Sequence, residues 1–399
     1  MDNIHKYLHV LSRVNSSINV DTLNKPVQET GVDSIDLLVI RVELEKYFNV
    51  KISDDKWYSI KTLSDALNYF QENRAETHTI PPVEKEINVV RKYKINMPQM
   101  SNNALSENWI LKEYGDIHWE LISKGIGLSS SKLFDDKGEK LYATFIRIRY
   151  QISPLSSFSE NDEISINSHI SRYGDNTYLT THNLHESNLQ MLATTMTSFS
   201  IREDDDNTRI SKSIPQGTRN YIKDSNRIPE FLNDYRLVRK QLTDEHILCN
   251  CNFSISDDPK ILPLNIDDYY VDSLGFLISK STKDKLPKYL IYNINPYYDI
   301  NGVGLLYYAS YPTISDFCES TIMNSDKKCS SNDTWHVRTT TIARDVFYYA
   351  NCNSCDRIVY TINNFIQVSE HTIGIKSSLF RISDSKKMAD IFTIKTDTV

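Results

Sequence analysis

Three groups of residues in this 399-residue chain have the types and spacing to do chemistry. Asp33-Ser34 stands just ahead of an apolar run in which Ile35, Leu38, Val39 and Val42 recur at i, i+3, i+4 and i+7. A helix beginning there buries one stripe, has its N-cap at Asp33 or Ser34, and presents its positive dipole end at that point. Asn301-Gly302-Val303-Gly304 joins an amide donor to glycines that allow close backbone approach, the arrangement needed to stabilise charge on a carbonyl oxygen. Arg227, Arg236, Arg239 and Lys240 form a basic cluster, either a solvated charge run or a set of cations for the phosphates of a CoA-type ligand. Tyr114 and His118, four apart, share a helical face, where a packing histidine is the ordinary outcome. Cys352-x-x-Cys355 and Cys249-x-Cys251 lack the paired hooks of a structural zinc site, so no metal is expected. Neither a phosphate-cradling glycine loop nor a Gly-x-Ser-x-Gly elbow is present.

The elements that must position these residues fall into two kinds. Residues 3–16, the run after Asp33 and the segment Ile60–Phe70 predict three or four short helices in about 75 residues, a small bundle. Pro81-Pro82 and the charges around it predict an extended spacer over 76–92. Beyond it, alternating β-branched and aromatic runs predict strands, among them Tyr142–Ile152, Glu163–Ile170 and Ile358–Val368. Two helical segments interrupt them, Met97–Asp116 and Tyr297–Asp316, and they align without a gap at an offset of 200. Each precedes a β-rich block, LYATFIRIRYQIS or IARDVFYYANCNS, so the pattern is a duplicated unit of strand, helix and several strands. The net charge of −7 argues against a nucleic-acid binder. There is no apolar run of the roughly 20 residues that span a bilayer. The first residues lack the order of a signal peptide, and six cysteines in so long a chain fit reduced thiols in the cytoplasm.

Gly31-Val-Asp33-Ser34-Ile35, followed by its apolar helix, resembles the signature of acyl carrier proteins. The resemblance implies 4′-phosphopantetheine esterified to Ser34 by a phosphopantetheinyl transferase. Asp299-Ile-Asn301-Gly302-Val-Gly304-Leu-Leu-Tyr-Tyr-Ala-Ser-Tyr311 is similar to the helix-start motif of hot-dog acyl-CoA thioesterases. In that family the position of Asn301 holds a catalytic Asp, and an amide cannot serve as base or nucleophile. The equivalent residue of the first copy is Ser101. Over residues 93–399 the chain resembles a narrower group, the LnmK-type (leinamycin-pathway) bifunctional acyltransferase/decarboxylases. That likeness rests on ALSENWILKEYGDIHW, LYATFIRIRY, NRIPEFLNDYRLVR, NGVGLLYYASYP and RDVFYYANC.

The implied fold is α+β: a four-helix carrier bundle over 1–75, the spacer over 76–92, and a double hot-dog over 93–245 and 246–399. The implied activity takes methylmalonyl-CoA or a related malonyl thioester, forms an acyl-O-tyrosine, decarboxylates it and passes propionyl to the carrier. Polyketide-synthase or β-branching enzymes would follow, with membrane and nucleic acid uninvolved and homodimerisation left open. By position the nucleophile is Tyr142, with Tyr150 and Tyr114 as alternatives. A phenol near its ordinary pKa of about 10 needs a cation nearby. Arg147 and Arg149, at odd offsets from Tyr142, are expected on the opposite strand face. Arg344 and Asp345, on the matching strand of the other copy, are better placed to act. Asn301 joins Tyr142 as catalytic, and Ser101, Gly302, Gly304 and Arg344 as substrate-binding. The other readings are a thioesterase or dehydratase on carrier-bound chains, and a non-catalytic acyl-binding module that presents the carrier.

Overall fold

A computed structural model describes residues 2–73, 84–102, 104–186, 189–215, 220–243, 269–271, 277–279, 288–324 and 334–398. It divides into two units, Met1–Val83 with Tyr173–Asp175 and Asp224–Lys240, and the remainder from Glu84 onward.

The first unit contains α1 (Asp2–Val14), α2 (Ser34–Phe48), α3 (Asp54–Tyr58) and α4 (Leu63–Glu72). Asp33 caps α2 by accepting from the Ile35 and Asp36 backbone N–H groups, both at 2.8 Å. Thr62 and Asp65 form a capping box that starts α4, and Asn49 closes α2 in the left-handed conformation at φ 53°. The core gathers Leu11, Val39, Leu44, Leu67 and Phe70, with Phe48 and Phe70 stacked 5.8 Å apart. α2 buries more than its expected stripe, since Asp36, Ile40, Arg41, Leu44 and Glu45 are buried as well.

The second unit contains one antiparallel sheet of eleven strands: β1 (Ile87–Lys94), β2 (Tyr142–Ile152), β3 (Glu163–Tyr173), β4 (Thr177–Glu186), β5 (Leu189–Arg202), β6 (Ile210–Lys212), β7 (Lys288–Asn293), β8 (Thr339–Tyr348), β9 (Arg357–Ser369), β10 (Thr372–Arg381) and β11 (Lys387–Asp397). Its order is β1-β3-β4-β5-β2-β8-β11-β10-β9-β7, with β6 on β5. Helix α5 (Glu107–Ile126) lies in sequence between β1 and β2, and α7 (Ser310–Asn324) between β7 and β8. Each half is therefore strand, helix, four strands, and the order mirrors itself across the β2–β8 seam. This is a double hot-dog, α+β in class, whose two sheets are joined into one. Helix α6 (Glu230–Thr243) follows the first half in sequence, and its residues through Lys240 belong to the first unit.

Two expectations are corrected, and a third lies outside the described residues. Residues 87–92, placed in the spacer, are part of β1, which pairs with β3 from Ile87↔Ile170 to Lys94↔Glu163; the spacer's 76–83 lie outside the described residues. The gapless offset fails beyond residue 100. The first copy closes its hairpin by pairing Met100 with Leu105, whereas the second pairs Ile300 with Leu306 and is one residue longer. The boundary expected at 245/246 lies outside the described residues, as do Cys249 and Cys251.

Candidate functional site

Ser34 is the first residue of α2 and is exposed, while its neighbours Ile35 and Asp36 are buried. A group esterified to its hydroxyl would extend into solvent from the positive end of a 15-residue helix. The site therefore fits a phosphodiester-linked arm.

In the second unit a β-bulge decides which side chains meet. Tyr142 pairs with Ser200 and Thr144 with Ser198, but the register shifts between Phe145 and Arg147. Thr195 and Thr197 of β5 point to the α5 side, where they bond His118. Ser198 and Ser200 therefore face the other way, and Tyr142 and Thr144 face with them. The bulge reverses the alternation, so Arg147, opposite Met196, joins Tyr142's face, contrary to the expectation from offsets. Both arginines there are engaged: Arg147 grips Asp345 through Nε at 2.9 Å and Nη2 at 2.6 Å, and Arg149 Nε lies 3.4 Å from the same carboxylate.

Around Tyr142 the nearest cations are others. The Arg202 guanidinium and the Lys140 ammonium each lie 5.7 Å from its ring centroid. Arg202 Nη1 also donates to the Val303 carbonyl at 3.0 Å, and Asn207 Nδ2 donates to the Gly304 carbonyl at 2.6 Å. Thus Arg202 ties Tyr142 of the first half to the Asn301–Gly304 turn of the second. Thr144 and Ser200 share a hydroxyl contact of 2.8 Å beside them, and Lys212 Nζ reaches Ser198 Oγ. Sequence reasoning missed Arg202, because its nearness to Tyr142 depends on the β2–β5 register.

The Asn301–Gly304 turn is not a helix start, since α7 begins only at Ser310. Asn301 itself makes the turn: its Oδ1 accepts from Val303 N at 3.1 Å and Leu305 N at 3.0 Å, and its N donates to the Leu305 carbonyl at 2.9 Å. Helix-dipole stabilisation is therefore not what these residues offer; the Asn301 amide presents Nδ2 as its donor. Gly304 has φ +85°, which favours glycine. At Gly302 a Cβ would meet nothing within 4 Å, so the backbone there is uncovered.

Arg344 is not beside Tyr142. It pairs across the seam with Tyr150 and is fully buried. Its Nε lies 3.1 Å from Glu107, and its Nη2 donates to Asp316 at 2.8 and 3.0 Å. Lys395 Nζ adds contacts of 2.9 Å to Asp316 and 2.6 Å to Glu319. Tyr150 donates its phenol to Glu107; burial, reinforced by that carboxylate, raises its pKa well above the ordinary value. Burial also pushes the Glu107 carboxyl up against the pull of Arg344. At Asp316 burial acts in the same sense, but Arg344 and Lys395 outweigh it and hold the carboxyl down. Tyr114 is fully buried and stacked on His182 at 4.3 Å. His118 bonds Thr180 and Thr197 at 2.6 and 2.7 Å, and burial pushes it down to about 3. Ser101 stands exposed on the separate Met100–Leu105 hairpin. Of the basic cluster, Arg236 is buried rather than solvated. Among the described residues no group of three or more His, Cys, Asp or Glu could hold a metal, and no helix is long and apolar enough to cross a membrane.

Residues 9–70 match the phosphopantetheine attachment site family. The chain is 44% identical over 48 residues to an acyl carrier protein of Phytoplasma australiense, covering 12% of this chain and 63% of that protein. It is 34% identical over 62 residues to an acyl carrier protein homolog of Mycoplasma genitalium, covering 15% and 74%. Among solved structures, a putative oleoyl thioesterase from Lactobacillus plantarum is similar at a TM-score of 0.48 and 9% identity, over 78% of this chain and 97% of that one. A 12:0-ACP thioesterase from Umbellularia californica gives 0.45 and 9%, over 78% and 94%. Through its N-terminal residues the chain belongs to the acyl carrier protein family, with 4′-phosphopantetheine as its covalent prosthetic group.

Proposed function

We propose that the protein is an acyltransferase/decarboxylase that takes methylmalonyl-CoA or a close malonyl thioester and delivers the decarboxylated acyl group to its own class of carrier. Ser34 is the attachment residue in this reading, and Tyr142 the nucleophile. The observation that carries it is the meeting of Tyr142, Arg202 and the Asn301–Gly304 turn, drawn from both halves of the double hot-dog. Asn301 adds a second reason. It occupies the position of the thioesterase acid, it is an amide, and its Oδ1 is committed to two backbone N–H groups. Activating water for hydrolysis is beyond it.

The phenol oxygen of Tyr142 attacks the thioester carbonyl, the C–S bond breaks, and CoA leaves as the thiol with the phenol's proton. Arg202 and Lys140 supply the positive charge that a tyrosine needs for this step. Breaking the Cα–carboxylate bond then releases CO2 and leaves the electron pair as an enolate. Asn301 Nδ2 and the uncovered backbone at Gly302 are the donors for its oxygen, and a proton from solvent completes the acyl ester. Ser34 would hold the prosthetic arm, which would supply a thiol as acyl acceptor, and the Tyr142 phenolate would take up that thiol's proton as the ester is cleaved. An acyl-thioester substrate and a phosphopantetheinyl transferase are the partners this requires.

Incubation with methylmalonyl-CoA, followed by intact-mass analysis and CO2 measurement, tests the reading. CO2 with a retained propionyl mass is expected. Free acid without retained mass would establish a hydrolase instead, and no change in mass with no CO2 would leave only an acyl-binding module.

A further inference from the structure

Helix α6 lies against the end of α1 and the start of α2. Leu232 and Tyr235 are buried, Arg236 donates through Nη2 to the Val14 carbonyl, and its Nε donates to Asp36 at 2.7 Å. The other oxygen of Asp36 accepts from Asn15 at 2.7 Å, so this buried pair is satisfied on both sides. Arg236 thereby fixes α6 in register two residues beyond Ser34. Arg239, three residues on, shares its helical face. Its Nε lies 3.5 Å from Asp33 Oδ2, on the residue immediately before Ser34, and its Nη1 donates to Tyr235 at 3.4 Å.

Two features make this arginine responsive to what Ser34 carries. Oδ1 of Asp33 already accepts the Ile35 and Asp36 N–H groups, so the usual anion-binding donors of the helix start are taken. The Arg239–Asp33 pair, by contrast, is partly exposed and longer than a hydrogen bond, and such pairs hold weakly. A phosphodiester on the Ser34 oxygen places a new negative charge beside it, and a guanidinium fork suits phosphate oxygens.

We propose that α6 is an internal clamp for the prosthetic arm, in which Arg239 takes the phosphodiester on Ser34 while Arg236 anchors the helix on Asp36. This rests on Ser34 being the attachment residue, as proposed above. Modification then tightens α6 on the carrier helices instead of leaving the arm on an unattended surface.

The test compares apo and phosphopantetheinylated full-length protein by hydrogen exchange of peptides covering 230–240, with intact mass as the control for modification. Wild type is expected to exchange roughly ten-fold more slowly over this helix once modified, the effect of one charge-assisted contact. Arg239→Ala should match wild type in the apo form and lose the slowing in the modified form, with Arg239→Lys intermediate. Equal slowing in wild type and Arg239→Ala, or none in modified wild type, would overturn the clamp while leaving the attachment reading intact. A Ser34→Ala protein that still gains the pantetheine mass would overturn the attachment reading, and the clamp with it.

Discussion

Tyr142 and Tyr150 sit on the same strand and differ in almost everything that matters for reactivity. Tyr150 is buried on the α5 side, its phenol donating to Glu107 within a cluster that includes Arg344, Asp316 and Lys395. Tyr142 lies across the sheet on the far side of a bulge, half-buried, with Arg202 and Lys140 over its ring. For Tyr150 burial disfavours the phenolate, and its carboxylate partner disfavours it further. Proximity to an arginine is therefore a poor guide to a reactive tyrosine unless the arginine's other partners are counted.

Arg344→Ala leaves Glu107 and Asp316 without their shared cation in a buried cluster, and should destabilise the second unit by about 3–5 kcal/mol in urea unfolding. Acylation per folded molecule should persist; its loss would return Arg344 to the substrate-binding role that its sequence position suggested. Arg202→Ala should slow acyl-enzyme formation by roughly 10²-fold in single-turnover mass measurements, with Arg202→Lys closer to wild type. An unchanged rate would remove Arg202 from the site.

A pH series sharpens the contrast between the buried side and the reactive one. His118, ordinarily near 6.5, is pushed down to about 3 by burial, so the folded state holds it neutral where the unfolded chain is protonated. Stability is therefore full above about pH 6.5 and falls on acidification toward pH 3, by up to about 1.4 kcal/mol per pH unit for this one proton. His118→Gln should flatten that slope in pH-dependent unfolding, and an unaltered slope would show that His118 is not the group responsible. The smallest effect is expected at Gly302→Ala. Its Cβ meets nothing within 4 Å, so unfolding should shift by no more than about 0.5 kcal/mol. Reduced decarboxylation in this well-folded variant would support substrate contact at the uncovered backbone; an unchanged rate would place the contact elsewhere.

Much of the frame was legible in the sequence, and the reasons are local. The strand Tyr142–Ile152 follows from β-branched and aromatic residues, and α2 from its apolar spacing and its Asp33 cap. The duplication followed from two similar segments, and the strand order repeats it. The losses lie where one residue changes a count or a distant partner supplies the cover. The bulge in β2 moved Arg147 and Arg149 to Tyr142's face, and the longer Ile300–Leu306 hairpin separated Asn301 from the helix start. Periodicity shows the stripe of α2 that faces its own bundle. It does not show that Asp36 is matched by Arg236, 200 residues on.

The central claim is that the acyl group passes through Tyr142. Wild type, Tyr142→Phe and Tyr150→Phe, each incubated with methylmalonyl-CoA, quenched in acid and mapped by peptide mass, decide it. Propionyl should appear on the Tyr142 peptide in wild type and in Tyr150→Phe, and be absent from folded Tyr142→Phe. Acylation that survives in Tyr142→Phe and disappears in Tyr150→Phe would contradict the account and move the chemistry to the buried face of the strand.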